Sequence, residues 1–222
     1  MEKRRKYRLN DAMSEITAIE TQAKRGDRKS IFVDGQFVVG AHQDVVAALN
    51  LAVGQRFEAD HLEKIIHKES ARKAFEAALR LIGYRDRAEA EVRKRLRGND
   101  FPENIVDEVI DRLYRMGLLD DAKFSRDWVK SRTASKPMGR MRLAWELRTK
   151  GVEPAVVEQA LENIDAGDER TLALALARNR ADKSDVCDRS FRDKTASFLR
   201  RRGFGWGIIA NVLDEICPLK ED

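Results

Sequence analysis

Apolar residues recur with the spacing of an α-helix in three segments of the chain after residue 70. In each segment five of them stand at offsets 0, 1, 4, 5 and 8, which places them along one face of a helix. Ile105 is followed by Val156 after 51 residues, and Val156 is followed by Ile208 after a further 52. The three stripes are Ile105, Val106, Val109, Ile110 and Leu113, then Val156, Val157, Ala160, Leu161 and Ile164, and then Ile208, Ile209, Val212, Leu213 and Ile216. This recurrence predicts three copies of one helical unit.

The residues that border these stripes are those that begin and end helices. Pro102 and Pro154 stand near predicted helix starts, where a missing N–H costs nothing. Gly151 and Gly203 stand where the preceding helix needs a left-handed residue to end. The first unit has Asp100 at this position, so its helix is expected to end differently. Each unit is therefore predicted to contain three helices.

A different pattern precedes the repeats. Two β-favouring runs at 31–33 and 37–39 flank Asp34-Gly35, a strong hairpin signal because both turn residues accept positive φ. Helical spacing follows over 42–50 and again from Asp60. A sheet this small needs support, so we expect it to pack against a helix in a small α+β module.

These patterns predict a mainly α fold, in which three tandem three-helix repeats form an elongated curved array after the α+β module with its β-hairpin. Neighbouring repeats are expected to bury their apolar faces against each other. The predicted parts are a flexible basic tail over 1–15, the module over 16–66, repeats over 67–117, 118–164 and 165–217, and a tail over 218–222.

Composition narrows the class of protein only slightly. The chain has 43 Lys and Arg against 38 Asp and Glu, and the net charge of +5 is by itself weak evidence for a nucleic-acid partner. Neither a run of about 18 apolar residues nor an apolar stretch after the charged start is present, so we expect no membrane span and no signal peptide. Cys187 and Cys217 are expected to be reduced thiols in a cytoplasmic protein, although a single disulfide stays open.

The chain lacks the spacings that bind metals or nucleotides. His42, His61 and His67 are the only histidines, and none is spaced from another as zinc ligands on one helix are. No phosphate-binding loop or dinucleotide fingerprint follows a predicted strand. The glycines at 203, 205 and 207 lie between two helices of one repeat, where capping and close packing explain them better than phosphate binding. We predict no cofactor, no metal and no enzymatic activity, while a catalytic set assembled from distant positions stays open.

Basic residues concentrate in the second helix of each predicted repeat, whereas the third helices are acidic or neutral. Arrayed on one face, these side chains would form a stripe suited to phosphates or to an acidic protein groove. The alternative is a solvated helix face, since the helix dipole favours Lys and Arg near a C-terminus. The candidate residues are Arg93, Lys94, Arg97, Arg140, Arg142, Arg148, Lys150, Arg192, Lys194, Arg200, Arg201 and Arg202.

The three tryptophans differ in their predicted burial. Trp128 and Trp206 stand in phases typical of core residues, which favours packing over base stacking. Trp145 stands between Ala144 and Glu146 and is expected to be partly exposed. Aromatic anchors of this kind are common at interfaces.

Several motifs in order resemble those of the RecX regulatory proteins. Ala78-Leu-Arg-Leu-Ile-Gly-Tyr-Arg-Asp-Arg-Ala-Glu-Ala-Glu-Val-Arg, Phe101-Pro-Glu and Met116-Gly-Leu-Leu-Asp-Asp-Ala-Lys-Phe-Ser-Arg resemble the first-repeat signature of that family. Gly139-Arg-x-x-Leu-x-x-Glu-Leu-Arg-x-Lys-Gly-Val resembles the second, and Arg201-Arg-Gly-Phe-Gly-Trp-Gly-Ile-Ile resembles the third. The resemblance covers about residues 70–217, and Asp100 departs from the usual Gly. The segment 16–66 looks like the N-terminal extension that some members carry.

The resemblance implies a negative regulator of the RecA recombinase, which binds the RecA–DNA filament along its groove. It implies inhibition of the ATPase, strand-exchange and co-protease activities of RecA, and thereby of recombination and the SOS response. The expected partners are the RecA filament and single- or double-stranded DNA, with the protein itself a monomer. The alternative is a sequence-tolerant DNA-binding helical protein that acts on DNA directly.

Overall fold

The structure is a computed structural model that describes residues 13–23, 25–162, 164, 166–181 and 188–218. The predicted tail over 1–15 lies outside this description except for its last three residues, and the tail over 218–222 except for its first. The described residues form four strands and ten helices. The predicted fold class, mainly α with a β-containing N-terminal module, is confirmed.

The N-terminal module is a four-stranded antiparallel sheet in the order β3-β2-β1-β4. Its elements are β1 (Ser14–Gln22), β2 (Arg25–Val33), β3 (Gln36–His42), α1 (Gln43–Ala48) and β4 (Arg56–Phe57). Asp34 and Gly35 form the turn between β2 and β3 with φ of 51° and 78°. The predicted hairpin is therefore confirmed, together with the positive φ that this turn requires of both residues.

One helix, α2 (Ala59–Tyr84), continues from the module into the first repeat. In its first half Leu62 and Ile66 share a buried cluster with sheet residues such as Ile31, which is the support that a small sheet needs. Its second half buries Ala78. The predicted limit between residues 66 and 67 falls inside this unbroken helix, and the domain limits stay predictions.

The remaining helices follow α2 in groups that match the predicted repeats. They are α3 (Glu89–Gly98), α4 (Glu103–Arg115), α5 (Asp121–Ser135), α6 (Arg140–Thr149), α7 (Pro154–Leu161), α8 (Ala166–Ala181), α9 (Arg189–Arg201) and α10 (Trp206–Ile216). The apolar stripes lie on α4, α7 and α10, and each stripe contributes buried residues to a core. The three-helix repeats are thus α2–α4, α5–α7 and α8–α10, and the elongated curved arrangement stays a prediction.

Among the described residues the chain forms two compact units. The first unit holds residues up to 85 and from 92 to 118, which are the module and most of the first repeat. The second unit holds 86–91 and the residues from 119 onward, which include the second and third repeats. The first three residues of α3 therefore belong to the second unit.

Within the second unit, Gly151 and Gly203 each follow the second helix of a repeat, and another segment of the chain packs closely against each of them. Both have the predicted left-handed φ, of +82° and +86°. A Cβ on Gly151 would lie 2.3 Å from the Cβ of Ala90, and one on Gly203 would lie 2.3 Å from the backbone nitrogen of Arg142. Glycine thus lets each second helix end against the start of the second helix before it.

The first repeat ends its second helix in the same conformation without a glycine. Asp100 has a φ of 59°, so the expectation of a different helix end is wrong. Aspartate is one of the few residues other than glycine that adopt this conformation readily. The buried guanidinium of Arg28 in β2 donates to the carbonyl oxygen of Asp100 and, at 2.8 Å, to that of Gly40. Arg28 therefore joins the module to this helix end.

Cys217 follows α10, and its side chain is buried and disulfide-bonded. A reduced thiol was the expectation, and it is wrong at this position. The fold decides which sulfur atoms meet, and spacing along the sequence does not determine it. Cys187 lies outside the described residues.

Over the ranges that the structure describes, no helix is long and apolar enough to cross a membrane.

Candidate functional site

The twelve predicted basic residues all lie on or at the end of α3, α6 and α9, but they differ in what they contact. Some are held by carboxylates or carbonyl groups of the same unit, and others line an open cleft. Because a cation already paired within the protein is less available to a ligand, these contacts decide which residues form a site.

In the first unit, the guanidinium groups of α3 are paired with carboxylates of α4. Arg97 makes a bidentate contact with Glu103 at 2.9 and 2.5 Å, and Arg93 lies 2.5 Å from an oxygen of Asp107. The bonds from Arg97 hold the pKa of Glu103 below its usual value. Lys94 is exposed and has no ion pair within the described residues. Of the three candidates on α3, only Lys94 is therefore without an ion pair among the described residues.

In the second unit, Arg140 and Arg192 hold equivalent positions and make equivalent contacts. The Nη1 of Arg140 donates to the carbonyl oxygen of Leu161 at 3.0 Å, and that of Arg192 donates to Leu213 at 3.0 Å. Arg192 also donates to Asp214 at 2.6 Å. Each arginine thus ties the second helix of its repeat to the third, which is a structural role.

Two further candidates of α6 are also engaged. Arg148 donates to Glu158 at 3.0 Å. The ammonium of Lys150 lies 3.6 Å from Glu91 and 4.3 Å from the ring centroid of Trp128. Lys194 on α9 is exposed and has no ion pair in the part of the chain that the structure describes.

Three of the four remaining candidates, Arg142, Arg201 and Arg202, border a cleft of about 560 Å³ between the second and third repeats. We call it the basic cleft, and its lining residues are Arg132, Lys136, Met138, Arg142, Glu146, Arg201 and Arg202. The backbone fixes its walls, because Gly139 donates to the carbonyl oxygen of Arg202 at 2.9 Å and Met141 donates to that of Gly203 at 3.2 Å. The close approach that Gly203 permits therefore brings the end of α9 against the start of α6.

Five cations face one carboxylate in the basic cleft, so it carries an excess of positive charge. Glu146 accepts from Arg132 at 3.0 Å and lies 3.5 Å from Arg142. Arg202 donates to the carbonyl oxygen of Pro137 at 3.0 Å, which fixes its head group. Lys136 and Arg201 are exposed and have no side-chain partner in the described ranges. They are the cations most available to an anionic ligand.

Two exposed indoles each contact an arginine, one that lines the basic cleft and one that precedes a cleft residue in the sequence. Trp145 is 54% exposed, which confirms the expected partial exposure, and the guanidinium of Arg142 lies 4.2 Å from its ring centroid. Trp206 is 59% exposed, and Arg200 lies 5.2 Å from its ring centroid. The predicted core position of Trp206 is wrong, because the fully buried Phe204 fills the core beside this helix start.

Trp128 packs against the core of the second repeat, as its phase predicts. Its indole N–H donates to Glu146 at 3.2 Å, and Arg132 lies 4.4 Å from its ring. Arg132 and Lys136 are cleft residues outside the predicted basic stripe, because the stripe was expected on second helices, whereas Arg132 lies on α5 and Lys136 directly follows it. The four-residue step from Trp128 to Arg132 is the signal that could have placed Arg132 on this helix face.

The other clefts of note lie in the first unit and mix both signs of charge. One of about 510 Å³ is lined by the carboxylates of Asp27, Asp44, Glu76 and Asp100 together with Lys73 and Arg80, so it lacks the cationic excess of the basic cleft. Among the described residues no group of three or more His, Cys, Asp or Glu side chains is placed to hold a metal ion.

Three family models match the chain in order. Residues 14–58 match the regulatory protein RecX N-terminal domain, residues 74–113 match the first RecX three-helix domain, and residues 120–161 match the second. These matches cover the module and the first two repeats, including α5 and α6 of the basic cleft.

Curated relatives extend the similarity. Regulatory protein RecX of Mycobacterium marinum is 39% identical over 137 residues, covering 61% of this chain and 79% of the relative. That of Prosthecochloris aestuarii is 37% identical over 145 residues, covering 65% of this chain and 94% of the relative. That of Clostridioides difficile is 28% identical over 210 residues, covering 94% and 99%.

Solved structures share the fold. The crystal structure of RecX from Lactobacillus salivarius matches with a TM-score of 0.63 at 25% identity, covering 67% of this chain and 97% of that one. A second crystal structure of regulatory protein RecX matches with a TM-score of 0.64 at 24% identity, covering 90% of this chain and 99% of that one, which is a likeness of fold alone.

Proposed function

The chain belongs to the RecX family of regulatory proteins, and from this premise we propose that it binds the filament of the RecA recombinase on DNA and restrains it. Binding inhibits the ATPase, strand-exchange and co-protease activities of RecA. The cellular consequence is negative regulation of recombination and of the SOS response. The RecA filament is the proposed partner, in the cytoplasm.

The excess positive charge of the basic cleft is the observation that supports this proposal and identifies the residues that would contact the filament. A nucleoprotein filament presents phosphates and acidic protein surface, and both are complementary to a cleft in which five cations face one carboxylate. Lys136 and Arg201 are the exposed members without a partner among the described residues. They are therefore proposed as the main contacts with the filament, and Arg142 and Arg202 line the cleft beside them.

Several weak contacts along one filament add through effective concentration, so no single tight pocket is needed. The proposal therefore predicts graded losses of inhibition from single substitutions. It also assigns Arg93, Arg97, Arg140, Arg148 and Arg192 to internal pairing and leaves them with little share in binding.

The test is the rate of ATP hydrolysis by RecA on single-stranded DNA, and RecA-stimulated repressor cleavage, with increasing amounts of this protein. We expect inhibition of both at substoichiometric ratios. No inhibition at any ratio would contradict the proposal.

A double charge reversal, Lys136→Glu with Arg201→Glu, links the activity to the basic cleft. We expect at least a tenfold rise in the concentration for half-inhibition, because two unpaired cations become anions. Arg126→Glu is the matched control, since Arg126 is exposed on α5 and does not line the cleft. Equal losses in both variants would remove the cleft from the proposal.

The second candidate function is direct, sequence-tolerant DNA binding, and the exposed indoles beside the cleft favour it. It predicts DNA affinity that falls steeply with salt and does not depend on RecA. A protein that competes with RecA for DNA but leaves preformed filaments unaffected would support this second function over the first.

A further inference from the structure

The indoles of Trp145 and Trp206 are exposed without an evident structural need. More than half of each side chain is open to solvent. The core of the third repeat contains Phe204 and Ile209 but not Trp206. Gly205 and Gly207 flank Trp206, and a Cβ at either would meet nothing within 4 Å. The surroundings of this indole are therefore open enough to admit a planar group.

Trp145 contacts an arginine of the basic cleft, and Trp206 contacts the arginine that precedes a cleft residue in the sequence. Arg142 lines the cleft and lies over the ring of Trp145 at 4.2 Å. Arg200 lies 5.2 Å from the ring of Trp206 and directly precedes the cleft residue Arg201. Cation–π contacts of this kind orient an aromatic ring. The surface therefore combines unpaired cations with oriented aromatic rings.

Single-stranded nucleic acid is the partner whose chemistry needs both features. Its phosphates require cations, and its unpaired bases present π-faces that stack on aromatic side chains. In a duplex the bases are already stacked on each other, and an acidic protein surface would need the cations but not the rings. The two features together thus favour a single strand over a duplex or an acidic protein.

We infer that the basic cleft with Trp145 and Trp206 is a single-strand binding site, in which Lys136 and Arg201 contact phosphates and the two indoles stack with bases. The inference rests on the proposed function for the source of the strand, which is the DNA of the filament. It names the component of the filament that this cleft contacts, and it adds two residues that the predicted basic stripe did not contain.

The test is binding of fluorescent oligo(dT) by the full chain, measured by anisotropy in the absence of RecA. Trp145→Leu and Trp206→Leu keep an apolar side chain but remove the aromatic face, and we expect each to weaken binding by about five- to a hundredfold. Trp145→Phe and Trp206→Phe keep a ring and should retain most of the affinity. Tyr84→Leu removes an aromatic side chain that is 86% exposed on α2 and should change nothing.

An abasic oligonucleotide of the same length separates stacking from charge. Wild type should bind it more weakly than oligo(dT), and both leucine variants should bind it as wild type does. Lys136→Glu with Arg201→Glu should weaken binding to both probes. Far-ultraviolet circular dichroism establishes that each variant is folded.

Unchanged oligo(dT) affinity in both folded leucine variants would overturn the inference. So would leucine variants that lose RecA inhibition while their oligo(dT) affinity is unchanged, since the rings would then contact protein. Ring-dependent oligo(dT) binding by a protein that does not inhibit RecA would instead sustain this inference and reject the proposed function.

Discussion

Arginines on the second helices occupy similar places along the repeats, yet their contacts give them different roles. Arg97 is satisfied by Glu103 on the next helix, whereas Arg201 has no partner among the described residues. The charge of a side chain therefore does not show whether that side chain belongs to a binding surface. The groups that lie within about 4 Å of its head group show this.

The pairing of Arg97 with Glu103 predicts a measurable titration. Because Arg97 lowers the pKa of Glu103, the pair stabilises the fold above the ordinary carboxyl pKa of about 4.3, and this is lost as pH falls through the lowered value. In Arg97→Gln the pKa of Glu103 should rise toward its ordinary value in an NMR titration. Lys94→Gln is the control and should leave it unchanged. An unshifted Glu103 in Arg97→Gln would refute the pairing in solution.

The close approach at Gly203 predicts a graded stability series. Gly203→Ala must accept a left-handed φ and also place a Cβ 2.3 Å from the nitrogen of Arg142. Gly117→Ala meets only the first difficulty, with a φ of +66° and nothing within 4 Å. Urea unfolding should give losses of about 1 kcal/mol for Gly117→Ala and roughly 2–4 kcal/mol for Gly203→Ala. Similar losses in both would mean that the junction relaxes freely.

At the scale of the element, the second helices are completed by other parts of the chain. The N-cap residue of α6, Gly139, has no side chain to accept from the first turn. Instead the buried Glu169 of α8 accepts from the backbone nitrogen of Arg140 at 3.0 Å. Asp121 of α5 does the same for Glu89 at 2.8 Å, and burial raises the pKa of its carboxyl. In both cases the first helix of one repeat caps the second helix of the repeat before it.

This capping predicts different effects of two substitutions at one position. Glu169→Ala removes the acceptor and leaves a partly buried N–H of Arg140 unsatisfied, so the free energy of unfolding should fall by about 1–3 kcal/mol. Glu169→Gln keeps an oxygen acceptor and should lose less than half as much. Thermal and urea unfolding check the series. If the two variants are equally destabilised, the loss comes from charge or packing and the capping explanation fails.

At the scale of the whole molecule, some basic side chains are paired with carboxylates of the protein and others are open to a ligand. Carboxylates of α4 and α7 neutralise much of the basic character of α3 and α6. The basic cleft keeps an excess of cations because Glu146 is the one carboxylate that lines it. Two cations without a side-chain partner among the described residues, Lys136 and Arg201, therefore lie together where the second and third repeats meet.

This division predicts that two conservative substitutions separate stability from function. Arg192→Gln removes donors to Leu213 and Asp214, and should lower the free energy of unfolding by about 1–3 kcal/mol while folded protein still inhibits RecA. Arg201→Gln removes no contact among the described residues, so it should leave unfolding within about 0.5 kcal/mol of wild type and weaken inhibition. Unfolding curves and RecA ATPase assays on both variants measure the two effects. The reverse pattern would show that the internal contacts were misassigned.

Much of the fold follows from local patterns. The hairpin was predictable because Asp34-Gly35 needs no distant contact to favour its turn. The helices of the repeats were predictable because a stripe at offsets 0, 1, 4, 5 and 8 lies along one face of a helix. Trp206 was misassigned because the stripe predicts which face is buried once a helix is under way, but not whether its first residue reaches the core. Phe204 takes that place.

By itself, the sequence determined most of the secondary structure, the three-fold recurrence, the left-handed helix ends at Gly151 and Gly203 and the placing of basic residues on the second helices. All of these depend on interactions between residues a few positions apart or on repetition of them. Only the tertiary structure decided which of those basic residues are paired, because their carboxylate partners lie on other helices. It also brought Arg132, Lys136 and Arg201 into one cleft, since Lys136 and Arg201 are 65 positions apart in the chain and the close packing at Gly203 brings their segments together.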